Sequence, residues 1–192
     1  MNFIEAIKSY EPINEQEASE KEAILAYINT FPDNILTREN TFGHLTSSGF
    51  VMNKELTKVL MVHHNIYNTW AWTGGHADGE EDLLYVAIKE AKEETGIKEV
   101  VPLMEEIASV DILPVWGHVK KGKYVATHMH LNTAYILIAD EKQTLEIKED
   151  ENSGVRWIAI EDIEKYSNEP EIIKVYHKLI SRARSYKTEM NE

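Results

Sequence analysis

The segment from Gly75 to Ile97 constrains this chain more than any other, because it sets three glutamates at fixed distances along a helix-forming stretch. Glu90, Glu93 and Glu94 stand at positions i, i+3 and i+4, which lie on one side of a helix. Like charges at that spacing repel one another and lower the stability of the helix. A divalent cation would turn the repulsion into a binding site, so the spacing predicts a metal site.

The residue types narrow the choice of metal. The chain has no Cys, and carboxylate oxygens favour Mg²⁺ or Mn²⁺ over zinc held by thiolates. Mg²⁺ usually binds few protein carboxylates and completes its coordination with water and substrate phosphates. The alternative is a solvated acidic face, in which Lys89 and Lys92 pair with neighbouring glutamates.

The residues around the glutamates predict a loop, a helix and a second loop. Residues 70–75 read as a strand end that runs into a glycine turn. Asp78 is a good N-cap, and Glu81 three residues later completes a pair like a capping box. Gly96 suits the left-handed position that ends a helix. The apolar residues that would form the buried face are Leu84, Ala87, Ile88 and Ala91.

The same segment resembles the Nudix box, the signature of the Nudix hydrolases. That pattern is Gly, five residues, Glu, seven residues, Arg-Glu, an aliphatic residue, any residue, Glu-Glu, any residue, Gly and an aliphatic residue. The residues in register with it are Gly75, Glu81, Glu90, Glu93, Glu94, Gly96 and Ile97. Ala91 is a small residue at the first aliphatic position, and Lys89 stands where the family usually has arginine.

The resemblance implies a metal-dependent hydrolase of nucleoside diphosphates linked to another group. The family's glutamates that match Glu90 and Glu94 hold the divalent cation. The one that matches Glu93 is a further ligand or the base for the attacking water. The carbonyl that matches Gly75 commonly joins the metal shell. Mg²⁺ or Mn²⁺ is therefore the expected cofactor.

Family members often bring a late glutamate to the metal helix. Glu151, six residues before Trp157, is expected to do this as a ligand or base, and Glu149 and Asp150 compete for the same role. Lys89 offers a flexible point charge where arginine would offer a planar fork, so it should orient neighbouring glutamates less rigidly.

The order of elements fits the α/β/α sandwich with a mixed β-sheet that the resemblance implies. Residues 1–41 predict an N-terminal helical extension whose second helix ends near Pro32, and residues 42–187 predict the Nudix hydrolase domain. The extension could be a cap, a dimer surface or a brace. Strands are predicted at residues 48–52, 58–63, 107–113, 131–139 and 155–160, and a helix at residues 162–187.

Four residues outside the glutamates are predicted to bind substrate. His76 follows Gly75 directly, and His128 and His130 point to the same face of a strand, where they could contact phosphate or metal. Half-buried strand histidines satisfied by neighbours are the alternative. Lys121 lies in a lysine-rich turn that could meet substrate phosphates or only increase solubility.

Charge and composition limit the partners. A net charge of −13 argues against broad binding of nucleic acid, which needs a basic surface. The chain has no apolar run of about 18 residues, so no membrane span is expected. Its N-terminus carries acidic residues and lacks a basic region before an apolar stretch, and its lack of Cys fits a reducing compartment, so a cytoplasmic location is predicted.

The predicted function is hydrolysis of a phosphoanhydride bond in a nucleoside diphosphate-linked small molecule, such as a nucleoside triphosphate or a nucleotide sugar. The substrate stays open because specificity lies in loops outside the box. One alternative is a catalytically silent module that senses nucleotides or binds a partner. Another is an isomerase of the isopentenyl diphosphate type, whose chemistry typically uses a cysteine that this chain lacks.

Overall fold

The structure, a computed structural model, describes residues 2–120 and 122–190. Lys121, a predicted substrate-binding residue, lies outside these ranges. Helices, in chain order, are α1 (Phe3–Ser9), α2 (Glu15–Thr30), α3 (Leu83–Thr95), α4 (Ile163–Tyr166) and α5 (Pro170–Glu189). Strands are β1 (Gly43–Met52), β2 (Lys58–His64), β3 (Thr69–Ala71), β4 (Thr73–His76), β5 (Val101–Pro102), β6 (Ser109–Val115), β7 (His118–Lys120), β8 (Lys123–Val125), β9 (His128–Ile138) and β10 (Asn152–Ala159).

Eight of the strands form one mixed sheet. Its main path runs β10-β2-β1-β9-β5, and β3, β4 and β6 pair with β2, β1 and β9. β1 and β9 are parallel along their length, and the other pairings are antiparallel. β7 and β8 form a separate hairpin. All ten residues of β1 are buried, which requires cover on both faces of the sheet.

Alternate residues of β1 face different helices. Ser47 donates its hydroxyl to the carbonyl of Leu83 at 2.6 Å, which fixes α3 on one face. Gly49 permits this approach, since a Cβ there would lie 3.1 Å from the carbonyl oxygen of Ala87. On the other face Phe50 stacks on Tyr176 of α5, with ring centroids 5.5 Å apart. The sheet thus lies between helices, and the predicted α/β/α sandwich is confirmed.

The N-terminal helices are capped by asparagines and packed into the same core. The Asn2 side chain accepts a hydrogen bond from the Glu5 backbone amide at 3.0 Å, and the Asn14 side chain accepts one from the Glu17 backbone amide at 2.9 Å. The buried apolar residues that they add to the core beneath β1 and α3 are Phe3, Ile7, Ile24 and Ile28. No helix within residues 2–120 and 122–190 combines the length and apolar character needed to cross a membrane.

A buried ion network joins α2 to α5. Lys178 lies 2.9 Å from a carboxylate oxygen of Glu17 and 2.6 Å from one of Asp111 on β6. Glu17 is fully buried and also accepts hydrogen bonds from the Tyr10 hydroxyl and the Ile13 amide. Of the three predicted uses of the N-terminal extension, these contacts match a brace. The boundary at residues 41 and 42 and a dimer surface stay predictions.

Three local predictions were wrong. The helix expected at residues 162–187 is interrupted, because the position before Pro170 disfavours helical backbone and Glu169 is extended, with φ −107° and ψ 92°. Residues 73–76 form β4 instead of a glycine turn, since their backbone pairs with β1. α3 is capped by Asp82, not Asp78, and Asp78 instead has φ 47° and pairs with Arg38.

Strand boundaries also moved. β1 begins at Gly43, five residues before the predicted start, and β9 begins at His128, three residues early. Both extensions come from the parallel pairing of these two strands, which starts at Gly43 and Met129. Gly96 does end α3 in the left-handed conformation, with φ 76°.

Replacing the buried cation tests the brace. Lys178→Met should lower the free energy of unfolding by about 3 kcal/mol or more, because it leaves the Glu17 and Asp111 carboxylates buried without a counter-charge. Urea denaturation followed by circular dichroism measures this. Lys174→Met is the matched control on the same helix. Lys174 is 71% exposed and, among the described residues, pairs only with the exposed Glu171. Its substitution should therefore lower the free energy of unfolding by about 0.5 kcal/mol or less. Equal losses in both variants would contradict the bracing role.

Candidate functional site

A glycine backbone lies directly against the acidic face of α3. A Cβ added to Gly75 would lie only 2.5 Å from the carboxyl carbon of Glu90, so no other residue fits there without displacing that side chain. The neighbouring Gly74 amide donates to a carboxylate oxygen of Glu94 at 3.2 Å. Glu94 is 6% exposed. The β4 backbone therefore positions two of the three predicted helix carboxylates.

Glu151 completes a cluster with these two residues. One carboxylate oxygen from each of Glu90, Glu94 and Glu151 lies within 4.8 Å of the others. The next residue, Asn152, donates its side-chain amide to the Glu94 carbonyl at 2.9 Å, which holds the end of this loop against the C-terminal part of α3. Glu149 and Asp150, the competing candidates, are exposed and outside the acidic cluster found among the described residues.

Glu93 lies at the margin of this cluster. Its side chain is 43% exposed, and it is not part of the group of three carboxylates, which was sought within the described residues. Lys89 and Lys148 each lie 3.6 Å from its carboxylate oxygens. Lys148 also lies 3.0 Å from Glu151. The structure thus separates Glu93 from Glu90 and Glu94, although all three share one side of the helix.

Burial makes the carboxylates difficult to ionise together. It raises the pKa of Glu94 well above its ordinary value, and the charges of Glu90 and Glu151 add to that rise, while the Gly74 amide opposes it. Burial also raises the pKa of Glu90, and the ammonium of Lys89, 3.3 Å away, opposes this. Two lysines at the margin therefore offset only part of the repulsion, and the cluster fits a divalent cation with oxygen ligands.

The predicted histidines come together with a fourth that the sequence analysis did not select. His44 joins His76, His128 and His130, and one ring nitrogen from each lies within 4.8 Å of the others. Ring centroids of neighbouring members are 4.8–5.4 Å apart. His44 and His130 are register partners on parallel strands. The sequence signal was a histidine at the start of β1, but its meaning depends on which strand pairs with β1.

The histidine cluster lies on the opposite face of the sheet from α3. Gly75 faces Glu90, and His76, as the next residue in the same strand, points to the other side. Burial lowers the pKa of His44 below its ordinary value. It also lowers the pKa of His76 to about 3 and the pKa of His130 to about 2. These imidazoles are neutral near pH 7, so they supply no positive charge for a phosphate.

Comparison with known families identifies the fold and its signature. The family model described as the NUDIX domain matches residues 43–179, well over half of the 192 residues. No curated protein matches the chain at a significant level.

Solved structures share the fold at low sequence identity. A Caenorhabditis elegans Ap4A hydrolase in a binary complex superposes with a TM-score of 0.53 at 18% identity, over 76% of this chain and 98% of that one. A NUDIX-family hydrolase from Clostridium perfringens superposes with a TM-score of 0.51 at 22% identity, over 72% of this chain and 96% of that one. The Escherichia coli dihydroneopterin triphosphate pyrophosphohydrolase superposes with a TM-score of 0.51 at 13% identity, over 68% of this chain and 90% of that one. These similarities show the shared fold, and the matching family model shows that the chain belongs to the Nudix family.

Proposed function

We propose that this protein is a divalent-metal-dependent hydrolase that cleaves a phosphoanhydride bond in a nucleoside diphosphate-linked substrate. The observation that carries the proposal is the cluster of Glu90, Glu94 and Glu151 against the glycine backbone of β4. Enzymes of the Nudix family generally use divalent metals. The oxygen-only ligand set favours Mg²⁺ or Mn²⁺. The Gly75 carbonyl is proposed as a further ligand, as in the box that the sequence resembles.

The proposed chemistry divides between the cluster and its margin. A cation bound at Glu90, Glu94 and Glu151 would neutralise negative charge on the pyrophosphate and would lower the pKa of a water molecule. Glu93 is the proposed base for the attacking water, because its carboxylate is exposed and stands beside the cluster instead of within it. Lys89 and Lys148 lie where they would also attract the negative phosphates.

The substrate class rests on chemistry and on similar folds. Structurally similar proteins are named as hydrolases of Ap4A and of dihydroneopterin triphosphate, and both names denote phosphoanhydrides. We therefore propose a nucleotide-like small molecule, such as a nucleoside triphosphate or a nucleotide sugar. A homodimer and a cytoplasmic location stay predictions. The other candidate function is a silent nucleotide-sensing or partner-binding module, and the retained carboxylate cluster argues against it.

The first experiment measures phosphate release, after coupling to a phosphatase, across nucleoside triphosphates, dinucleotides and nucleotide sugars. Assays contain Mg²⁺, Mn²⁺ or a chelator. We expect turnover that the chelator abolishes and that Glu94→Gln lowers by more than about 100-fold, since even residues that only support a metal ligand are worth up to that factor. In the presence of chelator, the Tm of Glu94→Gln should be at least as high as that of the unsubstituted protein, because the substitution relieves repulsion among buried carboxylates.

Two results would overturn this proposal. Absence of turnover on every compound with either metal would favour the silent module. Turnover that resists the chelator would separate the activity from the carboxylate cluster.

The role of Glu151 can be separated from that of its neighbours by Mn²⁺ binding, measured by electron paramagnetic resonance. Glu151→Gln should weaken binding by about 10-fold or more, because it removes one of the three clustered carboxylates. Glu149→Gln makes the same chemical change two residues earlier at an exposed position and should leave the affinity unchanged. The assignment fails if both variants lose the same affinity, or if only Glu149→Gln does.

Lys89 offers a test of charge against geometry. Lys89→Arg should retain or raise turnover, because it keeps the positive charge beside Glu90 and Glu93 and adds a planar fork that can hold both carboxylates. Lys89→Met, which keeps an unbranched side chain one atom shorter but removes the charge, should lower turnover. Steady-state kinetics on the best substrate measure both variants. A collapse of turnover in Lys89→Arg would show that the lysine has a role of its own.

A further inference from the structure

We propose that His44, His76, His128 and His130 form a second metal site, separate from the carboxylate cluster and suited to a borderline transition cation of the Zn²⁺ class. The site lies on the face of the sheet that α5 covers further along, and not on the face covered by α3. Its ligands come from three adjacent strands, with His44 on β1, His76 on β4 and the other two on β9.

The sheet itself holds the four residues together. β1 lies between β4 and β9, and the register sets His44 beside His130 and Thr46 beside His76. His128 and His130 alternate with Met129, so both project to the same face of β9. The spacing of their side chains is therefore fixed by backbone hydrogen bonds instead of by flexible loops.

Hydrogen bonds set two of the rings in the form that binds metal. His44 Nδ1 lies 2.9 Å from the Asn40 carbonyl oxygen, and His128 Nδ1 lies 2.8 Å from the Ala126 carbonyl oxygen. A carbonyl can only accept, so each Nδ1 carries the proton and each Nε2 presents a free lone pair. Metal-bound histidines typically donate their second ring N–H to a carbonyl or carboxylate in this way.

Two of the ring nitrogens are buried without a partner. Within residues 2–120 and 122–190, His44 Nε2 and His130 Nε2 are fully enclosed and make no hydrogen bond. His44 as a whole is 4% exposed. Buried polar atoms are nearly always paired, because an unpaired one costs free energy. A cation between the four rings would pair with the Nε2 lone pair of His44, and with that of His130 once its ring is protonated at Nδ1.

The ligand chemistry selects the class of cation and argues against an anion. Neutral imidazoles suit Zn²⁺, Cu²⁺, Ni²⁺ and Fe²⁺, whereas Mg²⁺ requires oxygen ligands. A lone pair on Nε2 would repel a phosphate oxygen. Arg38, whose charge acts on the cluster, is itself held by two hydrogen bonds to Asp78, at 2.9 and 2.6 Å, so its repulsion of a cation is reduced. The two clusters thus prefer different metals.

Metal binding to the 192-residue chain tests this inference. The protein is stripped with chelator and titrated with Zn²⁺ and with Co²⁺ in excess Mg²⁺, which competes for the carboxylate cluster proposed above as the site of the hydrolase metal. We expect one tightly held equivalent of either ion, and for Co²⁺ the visible absorption of a nitrogen-ligated site. His130→Gln should weaken the affinity by about 100-fold or more, because it removes a ligand. His76→Gln provides a second variant on a different strand, and circular dichroism verifies that both variants fold.

Two control variants separate this proposal from the proposed hydrolase. Glu94→Gln should keep the Zn²⁺ equivalent, because it alters only the carboxylate cluster. His177→Gln should also keep it, since His177 is an exposed histidine on α5 paired with Glu164. Failure of the parent protein to hold Zn²⁺ or Co²⁺ in excess Mg²⁺ would overturn the histidine site. Retention of Zn²⁺ in both His130→Gln and His76→Gln would also overturn it, as would loss of Zn²⁺ in Glu94→Gln. None of these readouts depends on turnover, so the hydrolase proposal stands or falls separately.

Discussion

The arrangement of this molecule depends on the contact between the glycine backbone of β4 and the acidic face of α3. Gly75 leaves no room for a Cβ, and its neighbour Gly74 donates to Glu94, so helix and strand approach closely enough to crowd two carboxylates. Gly49 on β1 allows the same helix to approach the sheet closely. Because successive residues of a strand alternate between faces, fixing Gly75 towards α3 also fixes His76 towards the other side. One backbone contact therefore orients both clusters.

The sequence predicted features that depend on residues close together in the chain. The helix carrying the glutamates, its end at Gly96 and the sandwich architecture were confirmed, because periodicity and a long motif determine them. The shared face of His128 and His130 follows from strand alternation alone. Which glutamates hold a metal stays a proposal, although the structure brings Glu90 and Glu94 together.

Features that depend on distant pairing could not be derived in this way. Asp78 has the chemistry of a helix cap, but its pairing with Arg38, 40 residues away in sequence, leaves the cap to Asp82. Glu151 is distinguished from Glu149 and Asp150 only by the loop that Asn152 ties to α3. His44 acquires neighbours only when β1 pairs with β4 and β9. The exposed position of Glu93 follows from how α3 lies on the sheet.

The ion network between α2 and α5 has a consequence for the order in which the chain is made. Synthesis proceeds from the N-terminus, and domains tend to fold as whole units. Glu17 and Asp111 leave the ribosome before Lys178, and until that residue follows, two carboxylates destined for the interior have no cation. A nascent chain that ends before α5 would have to bury both charges unpaired or leave the N-terminal helices undocked. Docking α1 and α2 without an unpaired buried charge therefore requires α5, so these helices depend on a segment that is synthesised much later.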